Sequence, residues 1–254
     1  MISDFFKWFR HCLSPVVDPI SVLTGLLAYP TYFSDWWRYA RLPGAELLSL
    51  TDACPQLHDR TKTTGIDAHY FYANGWAMRR IVSQRPLQHV DIGSQTMFVN
   101  LLSSLLPVIF VDYRPLEVFV EGLTILGGDI LNLPFNDGSV ESISCLHVAE
   151  HIGMGRYGDT LNARGTRYAC TELNRVLAPG GNLYFALPVG RPRVCFNAHR
   201  IHAPATILEY FTGLELVEVS GVHDNGRFVE RVAPDEFSYS DYACGLFWFK
   251  RPLV

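Results

Sequence analysis

Beyond about residue 68 the chain alternates between short apolar runs and stretches with apolar residues at helical spacing. Tyr70–Gln84 carries Phe71, Trp76 and Ile81 at that spacing and predicts a helix. His89–Ile92 predicts a short strand, Thr96–Leu106 an apolar helix, and Val108–Val111 a buried strand running into Asp112. Leu116–Leu123 reads as helical, and Thr124–Leu126 as a short strand leading to Gly128-Asp129. Val140–Leu146 is the next strand. Thr166–Leu177 is a helix stopped by Pro179-Gly180-Gly181, Asn182–Leu187 a strand ending at Pro188, and Ala205–Phe211 a helix. Leu214–Val222 and Ala243–Lys250 are the last two strands of the sheet. This alternation predicts an α/β fold with a doubly wound, mainly parallel sheet. Ligands of such sheets bind at the carboxyl ends of the strands, where strand order reverses.

Residues 1–66 follow a different pattern. They are rich in Trp, Tyr, Phe and Pro, and Pro15, Pro19, Pro30, Pro43 and Pro55 interrupt them. The region is expected to be a cap of short helices and irregular connections without its own core, ahead of an α/β domain over 67–254. At its start, Phe5, Phe6, Trp8 and Phe9 with Lys7 and Arg10 suit a short amphipathic helix. Such a helix packs on its own domain or a partner, or rests on a membrane surface. The early Asp4 and the interrupting cations do not fit a secretion signal. The longest apolar stretch, Ile20 to Tyr29, is about ten residues against the ~20 that a transmembrane helix needs.

Composition narrows the class. Hydrophobic residues make up 48%, enough for a full core. A net charge of −4 argues against an extended nucleic-acid surface. Six scattered cysteines without a C-x-x-C pair read as reduced thiols in the cytoplasm.

Candidate chemistry clusters after the strands. The first strand ends Val90-Asp91-Ile92-Gly93-Ser94-Gln95, where a glycine lets the backbone turn sharply toward a ligand. Asp112, 21 residues beyond Asp91, stands where an acidic side chain accepts ribose hydroxyls. Gly128-Asp129-Ile130 follows the third strand, with a carboxylate placed to accept an adenine amino hydrogen. His147-Val148-Ala149-Glu150-His151 follows the fourth. As a bare pattern this is the inverted zinc-protease motif, with both imidazoles on one face if helical. Its position after a buried parallel strand argues against a peptidase. His147 reads either as a core histidine or as a general base. Arg191, Arg193 and Arg200, with Asn197 and His199, lie after the fifth strand, and Arg156 after the fourth. They suggest a pocket for an anionic group or, alternatively, a solvated basic rim.

The acidic-Gly turn, Asp112, Gly128-Asp129-Ile130-Leu131-Asn132-Leu133-Pro134-Phe135, Val140–Glu150 and Arg175-Val176-Leu177-Ala178-Pro179-Gly180-Gly181 resemble class I S-adenosylmethionine-dependent methyltransferases. His147–Gly153, Gly155–Asp159 and Phe196–Arg200 resemble a small methyltransferase-like family of unknown function. The first resemblance implies a Rossmann-like methyltransferase sheet and S-adenosylmethionine as cofactor. Asp91, Gly93, Ser94, Gln95, Asp112, Asp129 and Ile130 are then expected around that cofactor. One departure is that only Gly93 is present of the usual run of glycines, with Ser94 and Gln95 following.

Some hydroxyl-acting methyltransferases resemble the His147–His151 segment and hold a divalent cation there. By that resemblance His147, Glu150, His151 and His199 (or His202) would be the metal ligands, or the catalytic groups without a metal. Arg156, Arg191, Arg193, Asn197 and Arg200 would bind the acceptor. The expected function is methyl transfer to a small polar, anionic acceptor, a hydroxyl of a sugar or sugar-phosphate. The alternative is a catalytically inactive methyltransferase-like binding protein.

Overall fold

The structure is a computed structural model that describes residues 12–14 and 16–253; the amphipathic segment expected at Phe5–Arg10 lies outside them. The chain divides into two compact units between Gly65 and Ile66.

In the first unit, helix α1 (Pro19–Tyr39) begins at Asp18, whose side chain accepts from the Ile20 and Ser21 amides. Short helices broken at each proline were expected here; one 21-residue helix forms instead. Pro19 sits in the first turn, where a missing N–H costs nothing. Pro30 removes one bond from the interior without ending the helix. A 3₁₀ turn, Leu50–Asp52, is capped by Ser49, and residues 53–65 are irregular. None of the described helices is long and apolar enough to cross a membrane.

The second unit carries α2 (Ala68–Gln84), β1 (His89–Ile92), α3 (Thr96–Ser103), β2 (Val108–Asp112), β3 (Leu123–Gly127) and β4 (Val140–Leu146). There follow α4 (Gly165–Val176), β5 (Leu177–Val189), β6 (Arg193–Cys195), β7 (His199–Ile201) and α5 (Pro204–Tyr210). The last elements are β8 (Glu215–Val222), β9 (Phe228–Val229) and β10 (Ala243–Lys250). Eight strands form one sheet in the order β3-β2-β1-β4-β5-β10-β8-β9. β1 to β5 pair in parallel, and β10 runs antiparallel between β5 and β8. This is the doubly wound, mainly parallel sheet that the alternation predicts. Its strand order reverses between β1 and β4.

Alternate side chains of β5 serve two cores. Leu183, Phe185 and Leu187 join Ala169, Cys170 and Leu173 of α4 on one face. Tyr184 and Ala186 join Trp76 and Ile81 of α2 and Phe98 and Leu102 of α3 on the other. α2 is fastened to β8 by a buried polar group: Trp76 Nε1 and Arg80 Nη2 donate to Glu218 Oε1 at 2.9 and 2.7 Å. Phe71, expected on the buried face, points outward; Ala73, Trp76, Ala77 and Ile81 face the core.

Two further expectations change. Leu116–Leu123 is an extended connection, not a helix. Its β-branched and aromatic run, Val118-Phe119-Val120, disfavours helix. Gly122 turns the chain into β3 at φ +78°, and a Cβ there would meet the Ser103 carbonyl at 2.5 Å. The strand expected from Asn182 instead begins at Leu177, directly after α4, and bulges through the Pro-Gly-Gly turn, where its register to β4 shifts. Arg175, at the end of α4, ties this region to the loop after β3. It donates to the Leu133 and Phe135 carbonyls, Glu172 and Asp137. That accounts structurally for both Leu133-Pro134-Phe135 and Arg175-Val176-Leu177.

Candidate active site

A cavity of about 310 Å³ opens at the carboxyl ends of β1 to β4, where the strand order reverses. Gly93, Asp112, Asp129 and Ile130 line it, and so do His147 and His151.

The turn after β1 brings the backbone close. Gly93 has φ +64°, and a Cβ there would stand 3.2 Å from Val148 Cγ1. Asp112 Oδ1 accepts from the Arg114 amide at 2.7 Å, and Asp129 Oδ1 from the Leu131 amide at 2.9 Å. Each carboxylate is thereby aimed by its own loop.

Asp91, Ser94 and Gln95 lie outside the cavity lining. Asp91 is fully buried, with Oδ1 accepting from the Ser94 amide at 3.0 Å and Oδ2 from the Ser94 hydroxyl at 2.7 Å and from Ser144. Ser94 Oγ also accepts from the Leu146 amide at 3.0 Å. These two residues shape the turn and fasten β1 to β4, which corrects their expected place against the cofactor. Gln95 Oε1 accepts from Asn74 instead. Burial pushes the Asp91 carboxyl up to about 6, against its serine partners. Beneath it, His89 is a core histidine, its two nitrogens each 2.8 Å from Ser142 and Ser144 hydroxyls. Burial pushes it down to about 3.

After β4 the chain does not continue as a helix. His147 sits at φ +59°, and only a 3₁₀ turn, Ala149–His151, follows. His147 and His151 therefore do not share a helical face. Glu150 lies between them, 1% exposed, with Oε1 3.2 Å from His147 Nδ1 and 3.8 Å from His151 Nε2. Burial alone would push Glu150 up; the two imidazoles outweigh it and hold the carboxyl below its ordinary value. His147 Nε2 faces Cys244 Sγ at 3.3 Å. Burial opposes charge on His147, but Cys244 and Glu150 together raise it to about 10.

His151 Nδ1 lies 2.5 Å from the Ala198 carbonyl, which places a proton on Nδ1 and leaves Nε2 as an acceptor. His199 does not join Glu150 and the two histidines as a fourth ligand. It stacks on Tyr242 at 4.8 Å, and Tyr242 stacks on His69 at 4.9 Å. His202 is pushed down to about 4 by burial. Among the described residues, the group able to hold a metal is instead His69, His147 and Cys244.

The expected cluster of arginines does not converge. Arg200 is buried and donates to the Ile152 and Asn162 carbonyls at 2.6 and 2.9 Å, and to Thr166. It pins β7 to the loop after β4, so its charge does not face an acceptor. Arg191 is exposed and paired with Asp241; Arg193 is exposed and donates to the Arg191 carbonyl. Asn197 is exposed on the β6–β7 turn. Arg156 donates to the Ala198 carbonyl and lies 5.1 Å from the ring of Tyr157, which lines the cavity.

Sequence reasoning missed Arg114, which lines the cavity and covers Tyr157 from 4.5 Å. It also missed His69, Tyr242 and Cys244. Arg114 had a signal, standing two residues after Asp112 at a strand end. A lone histidine in a helical first turn and a cysteine in an apolar strand had none.

A family described as "Caenorhabditis protein of unknown function, DUF268" matches residues 136–229. No curated protein matches the chain. Many solved structures resemble it, among them the following three. The N-methyltransferase NodS of Bradyrhizobium japonicum WM9, in complex with S-adenosyl-L-homocysteine, is 18% identical with a TM-score of 0.50, over 70% of this chain and 85% of that one. The 1,6-didemethyltoxoflavin-N1-methyltransferase of Burkholderia thailandensis, with bound S-adenosylhomocysteine, is 11% identical with a TM-score of 0.51, over 71% and 78%. The [4+2]-cyclase SpnF is 14% identical with a TM-score of 0.53, over 71% and 80%. Strand order, cavity position and these likenesses agree: the chain has the fold of the class I S-adenosylmethionine-dependent methyltransferases, and residues 136–229 match a family of unknown function.

Proposed function

We propose that the chain binds S-adenosylmethionine in the β1–β4 cavity and transfers its methyl group to a hydroxyl of a small polar acceptor. The observation that carries this reading is the shared lining: Gly93, Asp112 and Asp129 border the same space as His147 and His151. The residues present fit the cofactor. Gly93 admits close backbone approach, Asp112 keeps Oδ2 for ribose hydroxyls, and Asp129 and Ile130 offer an acceptor and an apolar wall for adenine. S-adenosylmethionine supplies an electrophilic methyl on a sulfonium, so the protein must orient an acceptor and remove its proton. His151 Nε2 is the proton acceptor, and Glu150 Oε1, 3.8 Å from the same nitrogen, stabilises the imidazolium that forms. With Arg200 and Arg191 engaged elsewhere, Arg156 and Arg114 are the cations left to meet a phosphate or carboxylate on the acceptor. The reading places the chain in the cytoplasm, where its six free thiols persist.

Calorimetry with S-adenosylhomocysteine should show one saturable site, and S-adenosylmethionine should compete for it. No heat and no competition would favour the second reading, a binding protein that keeps the scaffold. The single-glycine turn motivates that alternative. A structural relative named as a [4+2]-cyclase bears the same fold under a different activity.

A further inference from the structure

Three donor side chains meet beside the cavity from distant parts of the sequence. His69 stands in the first turn of α2, His147 follows β4, and Cys244 lies near the start of β10. One donor atom from each lies within 4.8 Å of the other two, and the His147–Cys244 pair is 3.3 Å apart. Around a tetrahedral zinc ion, bonds of about 2.0–2.1 Å to nitrogen and 2.3 Å to sulfur set donors roughly 3.3–3.6 Å apart. One pair already has that spacing, and the third donor needs a shift of at most about 1.5 Å.

The surroundings suit an ion. Glu150 holds His147 Nδ1 from behind, the carboxylate–imidazole arrangement that orients a metal-bound histidine. Glu150 Oε2 is buried with no hydrogen-bond partner, an acceptor left unmatched in this pocket. The His69 ring stacks on the Tyr242 side chain at 4.9 Å. A thiolate and a carboxylate together carry two negative charges, which a divalent cation offsets.

A different use of the same atoms is a Cys244–His147 nucleophile pair. Cys244 is fully buried, whereas a nucleophile must be reached by its substrate. The convergence of His69 also goes unexplained by that use.

We propose that His69, His147 and Cys244 bind a divalent transition-metal ion, with zinc favoured by the two-nitrogen, one-sulfur donor set. Three protein ligands leave a fourth position open, and one of them, His147, borders the cavity. A water or an acceptor oxygen there would have its pKa lowered. The ligand set differs from His147, Glu150, His151 and His199: Glu150 supports a ligand and does not serve as one.

The site does not depend on the methyl-transfer reading, and its test needs no turnover. The full-length chain, stripped with a chelator, is titrated with Co²⁺ and then Zn²⁺. One equivalent of Co²⁺ should produce thiolate charge-transfer and tetrahedral d–d bands that Zn²⁺ displaces. Cys244→Ser should lose the charge-transfer band, while Cys54→Ser, at an exposed cysteine of the first unit, should keep it. His69→Ala should weaken Co²⁺ binding by at least about tenfold without altering S-adenosylhomocysteine affinity. A wild-type chain that takes up no stoichiometric Co²⁺, or a charge-transfer band that survives in folded Cys244→Ser, overturns the proposal. The wild-type titration decides the matter even if a variant fails to fold.

Discussion

The two sides of the cavity are built on different principles. On the β1–β3 side the lining comes from turns that are contiguous in sequence, and each carboxylate is aimed by an amide two residues on. On the β4 side the lining side chains are held by partners from remote segments. Glu150 stands between two histidines, His147 faces Cys244 of β10, and His151 bonds to Ala198 of the β6–β7 turn. The first side is a backbone surface with few side-chain demands. The second is a polar network in which removing one member leaves others buried without partners.

That contrast can be broken most forcefully at Arg200. Arg200→Ala leaves two part-buried carbonyls and a buried hydroxyl without their charged donor. It should cost about 3 kcal/mol of stability in urea unfolding. Unchanged stability would return Arg200 to the acceptor site.

The next effect separates Asp112 from Ser94. Asp112→Ala should weaken S-adenosylhomocysteine binding by about 1.5–3 kcal/mol, roughly 10- to 150-fold, with little change in melting temperature. Ser94→Ala should do the reverse, losing about 1–2 kcal/mol of stability and keeping affinity within a few-fold. Equal affinity losses in both would erase the distinction between a lining residue and a turn residue.

The smallest effect concerns pH. Asp91 is raised by burial to about 6 in the folded chain, above the ordinary 3.8. The folded state therefore holds this proton more tightly than the unfolded state. The resulting stabilisation is complete below about pH 4 and is lost as pH rises through about 6. Asp91→Asn removes that dependence. Its unfolding free energy relative to wild type should rise across pH 4–7 by on the order of 1–2 kcal/mol. A flat difference would mean that Ser94 and Ser144 hold Asp91 ionised throughout.

Where the chain's own periodicity decided structure, it was legible. The strands at His89–Ile92, Val140–Leu146 and Ala243–Lys250 appear with their expected bounds, because apolar runs between turn residues have one way to be buried. Leu116–Leu123 misled because its apolar positions fit helical spacing, while β-branching and Gly122 favoured extension. Asp112 and Asp129 were legible as cavity residues because strand ends fix them. Arg200 was not: an arginine in a loop carries the same signal whether it meets a ligand or two backbone carbonyls. His69 and Cys244 were silent because their meaning depends on β10 entering the sheet between β5 and β8.

That placement of β10 has a consequence for synthesis. β10 follows both of its neighbours in sequence yet occupies an inner position, antiparallel to each. Until it leaves the ribosome, β5 and β8 each present an unpaired edge lined with Leu183, Phe185, Leu187, Val219 and Val222. A nascent chain can complete the cavity's β1–β4 floor early, yet it carries two adhesive edges through the rest of translation. β10 acts as a keystone, and an aggregation-prone interval ends when it slots in.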